Sequence, residues 1–168
     1  MNPEGLLPHD LLDHKQETGS VTGFKHADTI DRDDLIAVDC EVLAPAALER
    51  SIRADNAERV RATLVLELAN HPTTPDGDLL LHDRGVWVIP DILGSAGGVT
   101  VSYLEWVQNL QRERWSEERV NARLKELMEL ATDLVLERAD EGAVSHRTAA
   151  YEIAVERVAE AGRARGWH

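Results

Sequence analysis

The sequence predicts an α/β fold in which a partial parallel sheet of about three strands is followed by a C-terminal helical segment. Two observations carry this. Between residues 35 and 90, short apolar, β-branched runs alternate with short helical stretches, the pattern of parallel strands joined by crossover helices. Beyond Asp91 the apolar residues recur every three or four positions, the period of helices with one buried face. A chain of 168 residues suits one domain, since a chain of this size buries roughly 70% of its unfolded surface.

The first thirty-odd residues are polar, with glycines at 5, 19 and 23, and hold at most one short helix around 9–16. Leu6, Leu7, Leu11 and Leu12 point to a docked segment rather than a free tail. Residues 36–43 read as a buried strand, 55–60 as a short helix with Asp55 as its N-cap, and 63–68 as a second strand. A helix over 74–84 follows, stopped by Gly85, and 86–89 form a third strand ahead of Pro90. Gly97 and Gly98 introduce a helix that runs to about Gln111. Ser116 then caps a long helix with Glu117 and Glu118 in its first turn. Its apolar face is Val120, Leu124, Leu127, Met128, Ala131, Leu134 and Val135, and Ala149, Ala150, Ile153, Ala154, Val158 and Ala161 form the corresponding face of a final helix.

Acids outnumber bases 31 to 18, for a formal charge of −13, and only Lys15, Lys25 and Lys125 are lysines. Such a surface repels phosphate backbones, so nucleic acid is not an expected partner. Disorder is excluded by the 43% hydrophobic content and its periodicity. Adaptation to concentrated salt, in which a halophilic acidic surface is screened, accounts for the charge better than an acid-specific function. Cys40 stands alone, so no disulfide can form within the chain. With no apolar stretch of 18 residues and no basic start leading into one, a membrane association is not expected, and the predicted location is cytoplasmic.

Open parallel sheets bind ligands at the C-terminal ends of their strands. Here those ends are residues 44–47, 70–74 and 91–102, rich in small residues that let a flat ligand approach the backbone. A helix starting at Gly97 and Gly98 offers free N–H groups, although glycine and alanine there equally suit tight turns. There is no GxGxxG, GxxxxGK, CxxC or HExxH. Histidines 9, 14, 26, 71, 82, 146 and 168 lack metal-ligand spacing, and only His71 falls in the expected crevice. Ser102, His71 and Asp91 can be drawn as a triad on paper, but no nucleophile elbow surrounds the serine, so ordinary polar lining is the better reading.

These same stretches carry a family resemblance. The blocks LAPAALE (43–49), ANHPTTP (69–75) and VIPDILGSAGGVTVSYLEWVQN (88–109) closely resemble the glutamate dehydrogenases of the Glu/Leu/Phe/Val amino-acid dehydrogenase family. NPEGL (2–6), HKQETGS (14–20), RTAAY (147–151) and RGW (165–167) extend the resemblance over nearly the whole chain. It implies a partial Rossmann-like cofactor domain over 1–110 and C-terminal helices of the same domain over 111–168. It also implies NAD or NADP as cofactor beside Pro45, Ala46, Ala47, Asn70 and Ser95, and glutamate or 2-oxoglutarate beside Val99 and Ser102. The Ser102 hydroxyl would bond the substrate's side-chain carboxylate, a donor that apolar amino acids do not need.

The resemblance also implies that the family's catalytic lysine and aspartate, and its GxGxxG turn, lie ahead of Met1. No catalytic residue is therefore assigned, and the isolated chain is expected to be inactive. Within the blocks, Leu68 stands where the family has glycine, His71 replaces a small residue, and Gly94 and Ser95 replace Ala-Asn. A leucine in a turn needing close approach is expected to hinder the cofactor through strain of about 1–3 kcal/mol. Three functional classes follow: half of a split dehydrogenase whose partner is a separate N-terminal polypeptide, a non-catalytic module pairing with an intact paralogue, or a truncated remnant. A partial sheet with an apolar edge predicts self-association or a partner.

Overall fold

The computed structural model describes residues 1–167, so His168 lies outside the described residues. Two compact units divide the chain, the first spanning Met1–Val38 and the second beginning at Asp39.

In the first unit, helix α1 (Pro8–Thr18) opens with proline at its start and closes on Gly19 in the left-handed conformation. Phe24 meets His14 and His26 edge-on, at 5.6 and 5.7 Å between ring centroids. Of the four leucines, Leu6 and Leu11 line a cavity of about 380 Å³ within the unit, but only Leu11 is partly buried, and Leu6, Leu7 and Leu12 are exposed. A short helix α2 (Arg32–Leu35) follows, with Asp33 and Asp34 in its first turn.

The second unit holds a three-stranded parallel sheet in the order β1 (Val42–Leu43), β2 (Leu64–Leu66), β3 (Trp87–Ile89). The α/β class and the parallel pairing agree with the sequence. The strand expected over 36–43 does not form along its length. Helix α2 takes up residues to Leu35 and Ile36 is its helical C-cap, while Asp39 and Glu41 interrupt the apolar run. Only Val42 and Leu43 pair with Leu64 and Val65, and Val42, on an edge strand, is 48% exposed rather than buried. Nor is the helix after β1 capped by Asp55. A 3₁₀ turn covers Ala57–Arg59, and Asp55 instead pairs with Arg53 at 3.0 Å. Asn56 ties this turn internally, accepting from the Arg53 amide and donating to the Ser51 carbonyl. Ile52, Ala57, Val60, Ala62, Val65, Leu81 and Val88 are the buried apolar residues around the sheet.

Helix α3 (Pro75–Asp83) is capped by the Thr74 side chain and followed by Gly85 at φ 70°. After β3 come α4 (Asp91–Gly94) and α5 (Ala96–Gln111). Ser116 caps α6 (Glu117–Gly142) and Ser145 caps α7 (His146–Ala164). Every position of the apolar stripe read on α6 is at least half-buried. On α7 the stripe is buried at Ala149 and Ala150 but reaches solvent at Val158. Leu93, Val135, Ala139, Ala149 and Ala150 form a second core, with Ile89, Ala131, Val144 and Ile153 packed on it. Helix α7 is thereby anchored on the end of β3, where the His146 ring also bonds the Val88 carbonyl at 3.1 Å.

Candidate functional site

All three strands run the same way, so the turns that follow them lie along one edge of the sheet. The Pro45 carbonyl accepts from the Leu68 and Ala69 amides at 3.1 and 2.9 Å, joining the turn after β1 to the turn after β2. Ala46 and Ala47 are exposed beyond it. Leu68 is 42% exposed and is not among the residues at positive φ, so the leucine introduces no left-handed strain. Asn70 is exposed, and its side-chain amide makes no hydrogen bond among the described residues. Its neighbour His71 takes the left-handed conformation, φ 47°, at a cost of about 1–2 kcal/mol for a residue with a side chain. Two bonds hold it there: its carbonyl accepts from the Arg50 amide at 2.8 Å, and its amide donates to Asp91 Oδ2 at 2.8 Å.

Asp91 opens the third turn. Its Oδ1 accepts from the Ile92 amide at 2.9 Å, and its carbonyl accepts from the Ser95 hydroxyl at 2.7 Å. An added Cβ at Gly94 would lie 2.5 Å from the Glu67 carbonyl oxygen, so helix α4 rests directly on the end of β2. By contrast Gly97 and Gly98, at the start of α5, face open space. Val99 is 70% exposed, and Ser102, three residues on, is exposed with its hydroxyl donating to the Gly98 carbonyl at 3.2 Å. No bond joins Ser102 to His71. Of the triad drawn from the sequence only the His71 to Asp91 approach exists, at 3.6 Å.

Behind this edge lies a charged network that sequence reasoning missed. Arg147, in the first turn of α7, places Nη2 2.6 Å from Glu67 Oε1 and 3.1 Å from Asp78 Oδ1, and Nη1 3.4 Å from Asp91 Oδ1. Glu67 is fully buried and also accepts from the Asp91 amide at 2.8 Å. Burial of the Arg147 guanidinium works against its charge, but hydrogen bonds and Coulombic attraction from Glu67 and Asp78 outweigh this and raise its pKa above that of an ordinary arginine. A signal was present in the sequence: Glu67 is a lone charge inside an apolar strand, and such a group must be paired.

A cleft of about 1020 Å³ lies beside the network, lined by Arg50, His71, Thr74, Tyr151 and others, but by none of the cofactor- or substrate-binding residues that the family resemblance implies. It also touches Thr73, whose buried hydroxyl has no hydrogen-bond partner among the described residues. Among the described residues no group of three or more His, Cys, Asp or Glu is placed to hold a metal ion, and no helix is long and apolar enough to cross a membrane.

The profile of the Glutamate/Leucine/Phenylalanine/Valine dehydrogenase family matches residues 1–166. The NAD-specific glutamate dehydrogenase of Staphylococcus aureus (strain COL) is 46% identical over 166 residues, covering 99% of this chain and 40% of that protein. The glutamate dehydrogenase of Thermotoga maritima is 46% identical over 165 residues, 98% of this chain and 40% of the relative. Among solved structures, the hetero-hexameric glutamate dehydrogenase from Thermus thermophilus (Leu bound form) matches with a TM-score of 0.88 and 36% identity, over 99% of this chain and 39% of that one. The chain thus spans about two-fifths of the length of the relatives it matches. Agreement over this whole span, in sequence and in fold, means that the chain belongs to the Glu/Leu/Phe/Val dehydrogenase family.

Proposed function

We propose that this chain is the dinucleotide-facing, C-terminal portion of an NAD(P)-dependent glutamate dehydrogenase, which oxidatively deaminates glutamate to 2-oxoglutarate. The observation that carries the reading is the convergence of the three post-strand turns on one sheet edge, with the Asn70 amide unengaged and Gly97 and Gly98 facing open space. That donor set fits a dinucleotide: small residues at 45–47 admit a flat ring, Asn70 has both donors and an acceptor to offer, and the start of α5 carries no acidic side chain. The name of the S. aureus relative favours NAD over NADP. Residues 1–110 would then be part of the cofactor domain and 111–168 its C-terminal helices.

When bound, the nicotinamide supplies the acceptor for the hydride leaving the amino acid's α-carbon. This chain's part is positional. Asn70 lies beside the dinucleotide and Ser95 near its nicotinamide end, and Val99 and Ser102, one helical turn apart on α5, flank the substrate side chain. To donate to a carboxylate the Ser102 hydroxyl must turn from the Gly98 carbonyl, giving up a net contribution of about 1 kcal/mol for a charge-assisted bond. No acid or base is assigned here; Lys125, for one, pairs with Glu129 at 3.7 Å on α6. Those groups would come from the substrate-domain portion of such an enzyme, outside the span that this chain matches.

NADH titration of the full chain by calorimetry tests the reading. Saturable binding, weakened at least fivefold by Asn70→Ala, is expected, together with no glutamate-dependent NAD(P) reduction by the pure chain. Absence of binding, or an Asn70→Ala variant that binds as well, would overturn it.

A further inference from the structure

The three turns of the candidate site are separate in sequence, yet the groups that hold two of them converge on one side chain. Glu67 follows β2, Asp78 lies on α3 and Asp91 opens α4, and Arg147 reaches all three from α7. Two of these carboxylates, Glu67 and Asp91, are spent in part on backbone amides. Glu67 Oε2 accepts from the Asp91 amide, Asp91 Oδ2 from the His71 amide and Asp91 Oδ1 from the Ile92 amide, all at 2.8–2.9 Å. The amide next to Asn70 and the first two amides of the third turn therefore hang on carboxylates whose shared counter-charge is the Arg147 guanidinium. His71 sits in an unfavourable left-handed conformation that this bond helps to maintain. Arg147 itself is only 19% exposed and sits in the helical turn next to Ala149 and Ala150, which are locked into the core against Leu93.

We propose that Arg147 is a positioning residue for the dinucleotide site: by clamping Glu67 and Asp91 together it sets the separation of the turns bearing Asn70 and Ser95, and it couples them to helix α7. This rests on the reading of that edge as a dinucleotide site. The two guanidinium nitrogens are both needed, because Nη2 serves Glu67 and Asp78 while Nη1 serves Asp91. A lysine keeps the charge but offers a single nitrogen.

The test is amide hydrogen exchange by NMR on the full chain, with NADH titration alongside. In Arg147→Lys, exchange at His71, Asp91 and Ile92 is expected to speed up at least tenfold, while exchange at Val135 and Ala139 in α6 changes less than threefold and NADH affinity falls at least fivefold. Asp91→Asn, which leaves the guanidinium in place, should reproduce the local pattern if Arg147→Lys does not fold. Asp78→Asn, which bonds none of the three amides, should leave them near wild type. Unchanged exchange at His71, Asp91 and Ile92, or an equal rise throughout the second unit, would overturn the proposal. A wild-type chain that binds no NADH would instead defeat the dinucleotide reading, with the exchange pattern still deciding whether Arg147 sets the turns.

Discussion

Replacing Gly94 with alanine sets two effects against each other, and the structure decides between them. Gly94 ends α4, where alanine is the better helix former by up to about 1 kcal/mol. Against this, the new Cβ would lie 2.5 Å from the Glu67 carbonyl oxygen and 3.3 Å from Leu66 Cδ1. The Leu66 methyl can swing away, but the carbonyl belongs to backbone that cannot easily yield. The Glu67 amide donates to the Ile89 carbonyl at 3.1 Å, and its side chain is held by Arg147 at 2.6 Å and the Asp91 amide at 2.8 Å. Helix α4 must therefore lift by roughly 0.5–1 Å to restore ordinary contact, and forced overpacking of this kind costs about 1–3 kcal/mol. After the helical gain, Gly94→Ala is expected to lose about 1–2 kcal/mol, which lowers the melting temperature by about 2–4 °C per kcal/mol for a chain of this size. Urea unfolding followed by circular dichroism, with an unchanged slope, measures it. Equal or greater stability in the variant would refute the close-approach argument.

Truncating Leu81, fully buried on α3, should cost about 2–5 kcal/mol as Leu81→Ala, read from the same urea midpoint, and a loss below about 1 kcal/mol would mean that the sheet core is looser than it is drawn. The exposed Arg138 and Glu156 pair, bidentate at 3.0 Å, bridges α6 and α7, and the Arg138 hydrogen bond lowers the Glu156 pKa. A depressed carboxylate stabilises the fold above its unfolded pKa and loses that contribution as pH falls through the folded one. The stability gap between wild type and Glu156→Gln should thus be present at neutral pH and close below the ordinary glutamate range, and a gap that persists in acid would contradict the assignment. If the charge of −13 reflects screening by salt, unfolding midpoints should rise between roughly 0.1 M and about 2 M KCl, whereas a flat response would remove the halophilic reading.

What could be read from the sequence follows from how local the causes are. The α6 stripe, the Ser116 cap and the turn at Gly85 depend on neighbours within a turn or two, and all three stand as the sequence places them. Residues 36–43 look like a strand by composition, but a strand needs a partner of equal length. β2 offers β1 only Leu64 and Val65, so only Val42 and Leu43 pair, and the segment leaves α2 through a turn at Ile36. Asp55 has the right chemistry for a cap, yet Arg53 two residues earlier competes for its carboxylate and wins. The edge residues from Pro45 to Ser102 were reachable through parallel-sheet logic and the family blocks together. Arg147 was not, because its partners lie 56 to 80 positions away and no local period encodes them.

Two of the departures expected from the family resemblance, Leu68 and Gly94, lie close to Glu67, where α4 rests on the end of β2. The family resemblance implies glycine at the position of Leu68 and alanine at that of Gly94. Leu68 adds bulk next to Glu67 in the chain, and at Gly94 an added Cβ would lie 2.5 Å from the Glu67 carbonyl oxygen. If this is compensation, the two positions are coupled. Gly94→Ala alone should be destabilising by the clash worked out above, whereas in a Leu68→Gly background the strand end is freer to move and the same alanine should cost less. A double-mutant cycle in urea is expected to give a coupling of at least about 0.5 kcal/mol in that direction, the lower end seen for residues sharing a contact. Leu68→Gly carries its own backbone-entropy cost of about 0.5–1 kcal/mol, which the cycle cancels. Strict additivity would mean that Leu68 and Gly94 changed independently, and that the close approach of α4 to β2 owes nothing to the leucine.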